Sequence, residues 1–188
     1  TGNLLSNRSN HTATMLPDGH VLIAGGRYLA SVVLPTERYD PKQGSFVQGP
    51  SLSVGRESHA AVMLPSGDIL IAGGTGSSGE QLASCEIYGA TTGAITETGS
   101  LLAGRAGHTA NLLADGRVLA CGGTGSTGPL STCEIYNPAS GGWTNASAMS
   151  NARTLHVAAV MGDGHVLLAG GMGSTVLAGS EVYDPLSN

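Results

Sequence analysis

The stretch VLIAGG, residues 21–26, decides the fold because closely related copies of it recur through the chain. The copies end at Gly26, Gly74, Gly123 and Gly171, at spacings of 48, 49 and 48 residues. Four apolar residues in a row, without alternation, are typical of a β-strand that is covered on both faces. Repetition at a nearly constant period predicts a series of similar units, each of which buries its surfaces against its neighbours.

Two further patterns recur in the same register, one before and one after each copy. An Arg-x-x-His pattern occurs at Arg8/His11, Arg56/His59, Arg105/His108 and Arg153/His156, and a Glu-x-Tyr pattern occurs at Glu37/Tyr39, Glu86/Tyr88, Glu134/Tyr136 and Glu181/Tyr183. In the first three copies a large apolar residue follows the tyrosine by seven positions, as Phe46, Ile95 and Trp143. So many coincident registers define four units.

Each unit is predicted to contain four strands. The first follows the Arg-x-x-His pattern and ends at an Asp-Gly or Ser-Gly turn such as Asp18-Gly19. We predict a two-residue hairpin there, with positive φ at both residues. The second strand is the apolar stretch, the third carries Glu-x-Tyr on one face, and the fourth is outermost. Both faces of the second strand are covered only if successive sheets stack face to face around an axis.

The apolar stretch, the double glycine, Glu-x-Tyr-Asp-Pro and the following aromatic residue together resemble the kelch repeat. Unit two departs from it at Tyr88-Gly89-Ala90, and only unit three has the usual tryptophan, Trp143. The resemblance implies an all-β fold: a β-propeller of four-stranded antiparallel blades, four kelch-type blades per chain. The chain is then one propeller unit, residues 1–188, with blade cores at 8–49, 56–98, 105–148 and 153–188. Residues 1–5 align with the tail of an outer strand and are predicted to close the last blade.

Ring closure is left with three alternatives. Two chains join as an eight-bladed ring, one chain closes alone with four blades, or the chain is an excerpt of a longer propeller. We favour a homodimeric ring, because open ends would expose sheet faces and an unpaired strand edge.

Composition excludes several classes of function. A net charge of −5 with a single lysine, Lys42, does not favour nucleic acid, whose phosphates bind clustered basic residues. The apolar runs are too short to cross a bilayer. Three cysteines make no disulfide framework, and all three are expected as buried thiols. A disulfide between Cys121 and Cys133, which lie on consecutive strands, remains an alternative. The sequence does not decide the cellular compartment, although an extracellular bacterial setting is favoured.

The repeated polar residues are interpreted as structural. Packing is what every copy shares, so the histidines are expected to bond neighbouring units rather than a metal, although four imidazoles around an axis also suggest a metal ring. The arginines and glutamates are expected to form buried ion pairs, within one unit or between neighbours. The alternative is an anion site that uses the arginines.

Any binding site is expected in the loops that follow the double glycines, where the units differ. Unit one carries Arg27 and Tyr28 there, residue types enriched at interfaces, and unit two carries Glu80 and Gln81. The alternative is that Arg27 and Tyr28 only cover the end of the first blade. The kelch fold is shared with galactose oxidase, whose copper site needs a Tyr–Cys crosslink and further Tyr and His residues. Only Tyr28 lies outside the repeat, so we predict no catalytic residues, no metal and no cofactor. The sequence therefore predicts a module that binds a protein or glycan.

Overall fold

A computed structural model describes residues 1–187, and within that range the chain consists of strands and turns without a helix. The final residue of the fourth predicted core, Asn188, lies outside the described residues. Unit one contains β1 (Thr12–Met15), β2 (Val21–Ala24), β3 (Arg27–Tyr28), β4 (Ser31–Val32), β5 (Pro35–Asp40) and β6 (Ser45–Ser51). Unit two contains β7 (Ala60–Met63), β8 (Ile69–Ala72), β9 (Cys85–Tyr88) and β10 (Ile95–Thr98). Unit three contains β11 (Thr109–Leu112), β12 (Val118–Cys121), β13 (Thr124–Gly125), β14 (Gly128–Pro129), β15 (Cys133–Asn137) and β16 (Gly142–Ala146). Unit four contains β17 (Val157–Val160), β18 (Val166–Ala169) and β19 (Ser180–Tyr183).

Each unit forms its own antiparallel sheet, which confirms the all-β prediction. The strand orders are β1-β2-β5-β6, β7-β8-β9-β10 and β11-β12-β15-β16, and unit four has the three strands β17-β18-β19. The ribbons β3-β4 and β13-β14 stand apart as small two-stranded sheets. In every main sheet the strands are paired in the order in which they occur in the sequence, because short connections favour pairing of consecutive strands.

The turn between the first two strands differs from the predicted two-residue hairpin, and that prediction was wrong. In unit one the amide of Gly19 donates to Leu16 O at 3.0 Å, and the amide of Leu16 donates to His20 O at 2.8 Å. Gly19 has a φ of +85°, whereas Asp18 is not among the residues with positive φ. This is a type I turn followed by a left-handed glycine, a three-residue loop that needs only one residue in the left-handed region. The other three units repeat it at Gly67, Gly116 and Gly164.

Successive sheets pack face to face, so that the second strand is covered on both sides. We call the surface turned toward the following unit the forward face, with Leu22, Leu70, Leu119 and Leu167 on the second strands. The opposite surface is the rear face, with Val21, Ile69, Val118 and Val166. Three apolar clusters each join one forward face to the next rear face. All four residues of β8 and of β12 are buried, as predicted for strands between two neighbours.

Residues 1–5 form no strand and lie against unit one. The amide of Gly2 donates to Gly44 O at 2.6 Å, as the amide of Gly99 donates to Gly141 O at 3.0 Å between units two and three. Residues 1–5 thus occupy the place of an outer-strand tail, and completion of unit four by them stays a prediction.

The cysteines differ from the expectation of three buried thiols. Cys121 and Cys133 are paired in register across β12 and β15 and form a disulfide, with the Cα atoms 4.2 Å apart. Cys85 is a buried free thiol, because the residue opposite it on β8 is Ala72. A search of residues 1–187 finds no helix long and apolar enough to span a membrane.

Candidate functional site

The side chain of each repeated arginine lies buried within its own unit, where the second strand ends and the third begins. Arg56 is fully buried, and its guanidinium donates to Gly73 O at 2.7 Å, to Ser84 O at 2.8 Å and to the carboxylate of Glu86 at 2.8 Å. The equivalent pairs are Arg8–Glu37 at 2.6 Å, Arg105–Glu134 at 2.5 Å and Arg153–Glu181 at 2.7 Å. The structure therefore places each ion pair within one unit, between the start of the first strand and the third strand.

The glutamates also hold the segment that leads into their unit. Glu134 accepts the amides of Leu102 at 2.7 Å and Ala103 at 3.1 Å, three and two residues before Arg105. Glu181 accepts the amides of Ser150 and Asn151 in the same way. Burial alone raises the pKa of Glu181, but these amides and Arg153 outweigh it and hold the pKa below its usual value. One carboxylate thus fixes both an arginine and the incoming chain.

This arrangement leaves the arginines little capacity for an external anion. Their terminal nitrogens are occupied by two carbonyl groups and a carboxylate, and the side chain of Arg105 is fully buried. Within residues 1–187 only the Nε of each of these arginines is buried without a hydrogen-bond partner. Buried charge pairs of this kind specify register more than they add net stability, because desolvation offsets much of the attraction.

The repeated histidines of units two to four lie between units, whereas His11 of unit one is only partly buried. His59 Nε2 is 2.8 Å from Thr12 Oγ1 of unit one, and His156 Nε2 is 3.0 Å from Thr109 Oγ1 of unit three. The threonine follows the histidine of the preceding unit directly in sequence. Unit two has Ala60 at this position, and within residues 1–187 both ring nitrogens of His108 are buried without a hydrogen-bond partner. Threonine hydroxyl groups, rather than other histidines, are thus the partners of His59 and His156.

Burial keeps these imidazoles neutral. It lowers the pKa of His59 and of His108 to about 3, with the arginine of the same unit as the second cause in each case. The pKa of His156 falls to about 4 for the same two reasons. Within residues 1–187, no three or more His, Cys, Asp or Glu residues are grouped so that they could hold a metal ion.

A ladder of backbone hydrogen bonds links the units beside these histidines. The amide of Ser58 donates to Asn10 O at 2.9 Å, the amide of Gly107 to Ser58 O at 2.8 Å, and the amide of Leu155 to Gly107 O at 2.9 Å. All four residues have a φ between +51° and +64°. No local pattern predicted this ladder, because three of its four residues are not glycine.

The loop residues predicted to bind a ligand have different environments. Arg27 lies on the β3-β4 ribbon, pairs with Glu57 of unit two and also donates to Ala30 O at 3.0 Å. Asn10 donates to the same Glu57 at 2.9 Å. Arg27 therefore joins units one and two and does not present a free guanidinium.

The remaining predicted loop residues are more accessible. Tyr28 is 49% exposed, and the adjacent Leu29, which sequence reasoning passed over, is 80% exposed. Glu80 is exposed and accepts the amide and hydroxyl of Ser78 at 3.0 and 2.6 Å, while Gln81 donates to Gly79 O at 3.2 Å. These two side chains thus shape their own loop, whereas Tyr28 and Leu29 project an apolar surface.

The fold and the repeated Arg–Glu and His positions define a protein of stacked antiparallel β-units, of which the first three have four strands and the fourth has three. Residues 105–150, which cover unit three, match the family model described as the Kelch motif, and this confirms the predicted resemblance. The curated proteins include none that matches the chain.

Proposed function

We propose that the chain is a non-catalytic kelch-type β-propeller module that binds a partner protein through the loops following the double glycines. Kelch motifs commonly mediate protein interactions, and the four stacked units supply a rigid base for variable loops. Within the module the units are arranged around an axis as blades.

The observation that carries the proposal is the β3-β4 ribbon of unit one. An open depression of about 610 Å³ lies beside it, and its walls combine apolar and polar groups. It is lined by Ser6, Asn7, Tyr28, Leu29, Ala30, Ser31, Val32 and Val33. An exposed aromatic residue beside an exposed leucine gives a large contact area with little loss of conformational freedom, which suits a protein surface.

The repeat itself uses the residues that would otherwise suggest catalysis. Tyr88, Tyr136 and Tyr183 are buried in the contacts between units. His59, His108 and His156 are buried between units as well, and the arginines pair with glutamates. A module that binds without catalysis is the simplest function that fits these roles.

The test is a comparison of the natural chain with the variant Tyr28→Ala/Leu29→Ser and the control Val47→Ser. Val47 is 53% exposed on β6, outside the loop surface. Partners captured by the natural chain are identified by mass spectrometry, and their affinities are then measured with purified proteins. The loop variant is expected to bind at least about tenfold more weakly at an unchanged melting temperature, and the control is expected to bind normally.

Three results would contradict the proposal. Equal binding by the loop variant removes the ribbon from the site. Selective binding on a glycan array, with no protein partner, assigns the loop surface to glycans. Stoichiometric copper with oxidase activity assigns the chain to the galactose-oxidase type of enzyme.

A further inference from the structure

An open groove of about 460 Å³ lies between units two and three. Unit two contributes the turn between β7 and β8 and the side chain of Ile87 on β9, and unit three contributes the turn between β11 and β12 and the end of β15. The second strands begin at these turns and end at the double glycines. The groove, which we call the turn groove, therefore lies at the opposite end of the units from the loop surface of the proposed function.

The turn groove has apolar walls that are held by packing. Pro65 and Ile87 of unit two and Pro138 of unit three line it, and Ile87 also packs against the apolar cluster between these units. Tyr136, a further lining residue, is 2% exposed, with its hydroxyl 2.7 Å from Thr98 Oγ1. The groove is thus formed by ordered elements and needs no rearrangement to accept a ligand.

One charge in the turn groove distinguishes unit two from the other units. The residue directly after the turn glycine is His20 in unit one, Arg117 in unit three and His165 in unit four, whereas unit two has Asp68. Each of the three nitrogen-bearing side chains lies beside the aspartate that precedes its glycine, as Arg117 lies 2.6 Å from Asp115. Unit two therefore has an acid where the repeat elsewhere has a base.

Asp68 has no basic partner within residues 1–187. One of its carboxylate oxygens accepts the amide of Ala90 at 3.0 Å, and the other accepts the hydroxyl of Ser66 at 2.9 Å. The other five aspartates of the chain each lie 3.8 Å or less from an arginine or histidine nitrogen. Since a carboxylate accepts about four hydrogen bonds, Asp68 is fixed in place but keeps both its charge and acceptor capacity for a ligand.

The charges around the turn groove favour a cation. All six aspartates of the chain lie in or beside the turns at this end, and the arginines and lysine there are Arg38, Arg117 and Lys42. Arg117, in the wall of the groove, is already paired with Asp115. A cationic ligand is therefore attracted by the whole end of the module and meets one unbalanced carboxylate in the groove.

We propose that the turn groove binds an extended, basic segment of a partner protein, with a lysine or arginine side chain on Asp68. The aliphatic stem of that side chain packs along Ile87 and the prolines, while its charged head reaches the carboxylate. The partner thereby supplies the base that the other three units carry in their own turns. A protein segment fits better than a small amine, because its neighbouring residues cover the apolar wall that one side chain leaves open.

Peptide titration followed by NMR tests the site. The probe is the blocked heptapeptide Gly-Leu-Ser-Lys-Ser-Leu-Gly, which places lysine and both leucines on one face of an extended strand. The matched peptide has glutamine in place of lysine. We expect the lysine peptide to bind with a Kd of about 1 mM or lower and to shift the amide signals of Asp68 and Ala90. No binding at about 5 mM peptide overturns the proposal.

Two variants separate a direct ion pair from a general effect of charge. Asp68→Asn keeps an oxygen that accepts the Ala90 amide, and it is expected to weaken binding of the lysine peptide at least about tenfold while leaving the glutamine peptide unaffected. Asp163→Asn makes the same change of net charge at the turn of unit four and is expected to change the affinity less than about twofold. An equal loss in Asp163→Asn overturns the pairing with Asp68.

Two further titrations identify the occupant and keep the proposals separate. Spermidine is expected to bind more weakly than the lysine peptide, and equal binding at the same amides assigns the groove to small amines and overturns the protein segment. Tyr28→Ala/Leu29→Ser, at the opposite end of the units, is expected to bind the lysine peptide normally. Loss of the loop surface and loss of the turn groove are thus measured independently.

Discussion

Removing the hydroxyl of Thr109 is expected to destabilise the contact between units three and four. Thr109 Oγ1 lies 3.0 Å from His156 Nε2, and His156 is 6% exposed, so no solvent replaces the lost partner. A buried polar group left without a partner costs about 1–3 kcal/mol. The variant also removes the half-buried hydroxyl of Thr109, and the desolvation cost of that hydroxyl is removed with it. We therefore expect Thr109→Ala to lower the free energy of unfolding by about 1–2 kcal/mol.

The chain offers a matched gain of function at the same position of unit two. Ala60 stands where Thr12 and Thr109 stand in units one and three, and it faces the unpartnered His108. Ala60→Thr supplies the hydroxyl and is expected to raise the free energy of unfolding by about 0.5–1 kcal/mol, the net contribution of one hydrogen bond.

Guanidinium chloride denaturation at pH 7, followed by circular dichroism, measures both changes as shifts of the midpoint at constant slope. Thr144→Ala, at an exposed position on β16, is the control for replacing threonine in a strand. The reasoning is refuted if Thr109→Ala is no more destabilising than Thr144→Ala. It is refuted equally if Ala60→Thr destabilises the protein by about 1 kcal/mol or more, since a clash rather than a hydrogen bond would then dominate.

Three further predictions concern the buried charges, the histidines and the disulfide. Arg56→Met leaves the buried carboxylate of Glu86 without its arginine partner and is expected to lower the free energy of unfolding by about 3–5 kcal/mol, whereas Arg56→Met/Glu86→Leu recovers part of that loss. Denaturation curves in which Arg56→Met is as stable as the natural chain would contradict this role of the buried pair. Because the pKa values of His59, His108 and His156 are lowered, to about 3, 3 and 4, each is neutral in the folded state, while the unfolded chain takes up protons below about pH 6.5. Stability is therefore full above pH 7 and is expected to fall as the pH drops toward 4, by up to roughly 1.4 kcal/mol per pH unit for each of His59 and His108 and by less for His156. Melting curves that do not change between pH 7 and 5 would disprove this. The Cys121–Cys133 bridge has a sequence separation of 12. Its reduction by a thiol is expected to lower the free energy of unfolding by at most about 3 kcal/mol, measured by denaturation with and without the reductant. An unchanged denaturation midpoint would show that the paired strands need no crosslink.

Local patterns in the sequence determined the repeat, the strands and the residues that would be buried. The apolar run of β8 and the alternation around Glu86 and Tyr88 are properties of a few consecutive residues, and the period of the repeat follows from their spacing. The type of turn at Gly19 was misjudged because a left-handed glycine is compatible with more than one hairpin geometry.

Only the tertiary structure decided which partners these residues meet. That Arg56 pairs within its own unit, that Arg27 is held by Glu57 and that Thr109 partners His156 all involve residues about 30 or 47 positions apart. Such contacts depend on how one sheet is rotated and shifted against the next, which no local pattern encodes. The turn groove between units two and three became visible for the same reason, because a groove between two sheets is a property of the stacked units and not of the strands that compose them.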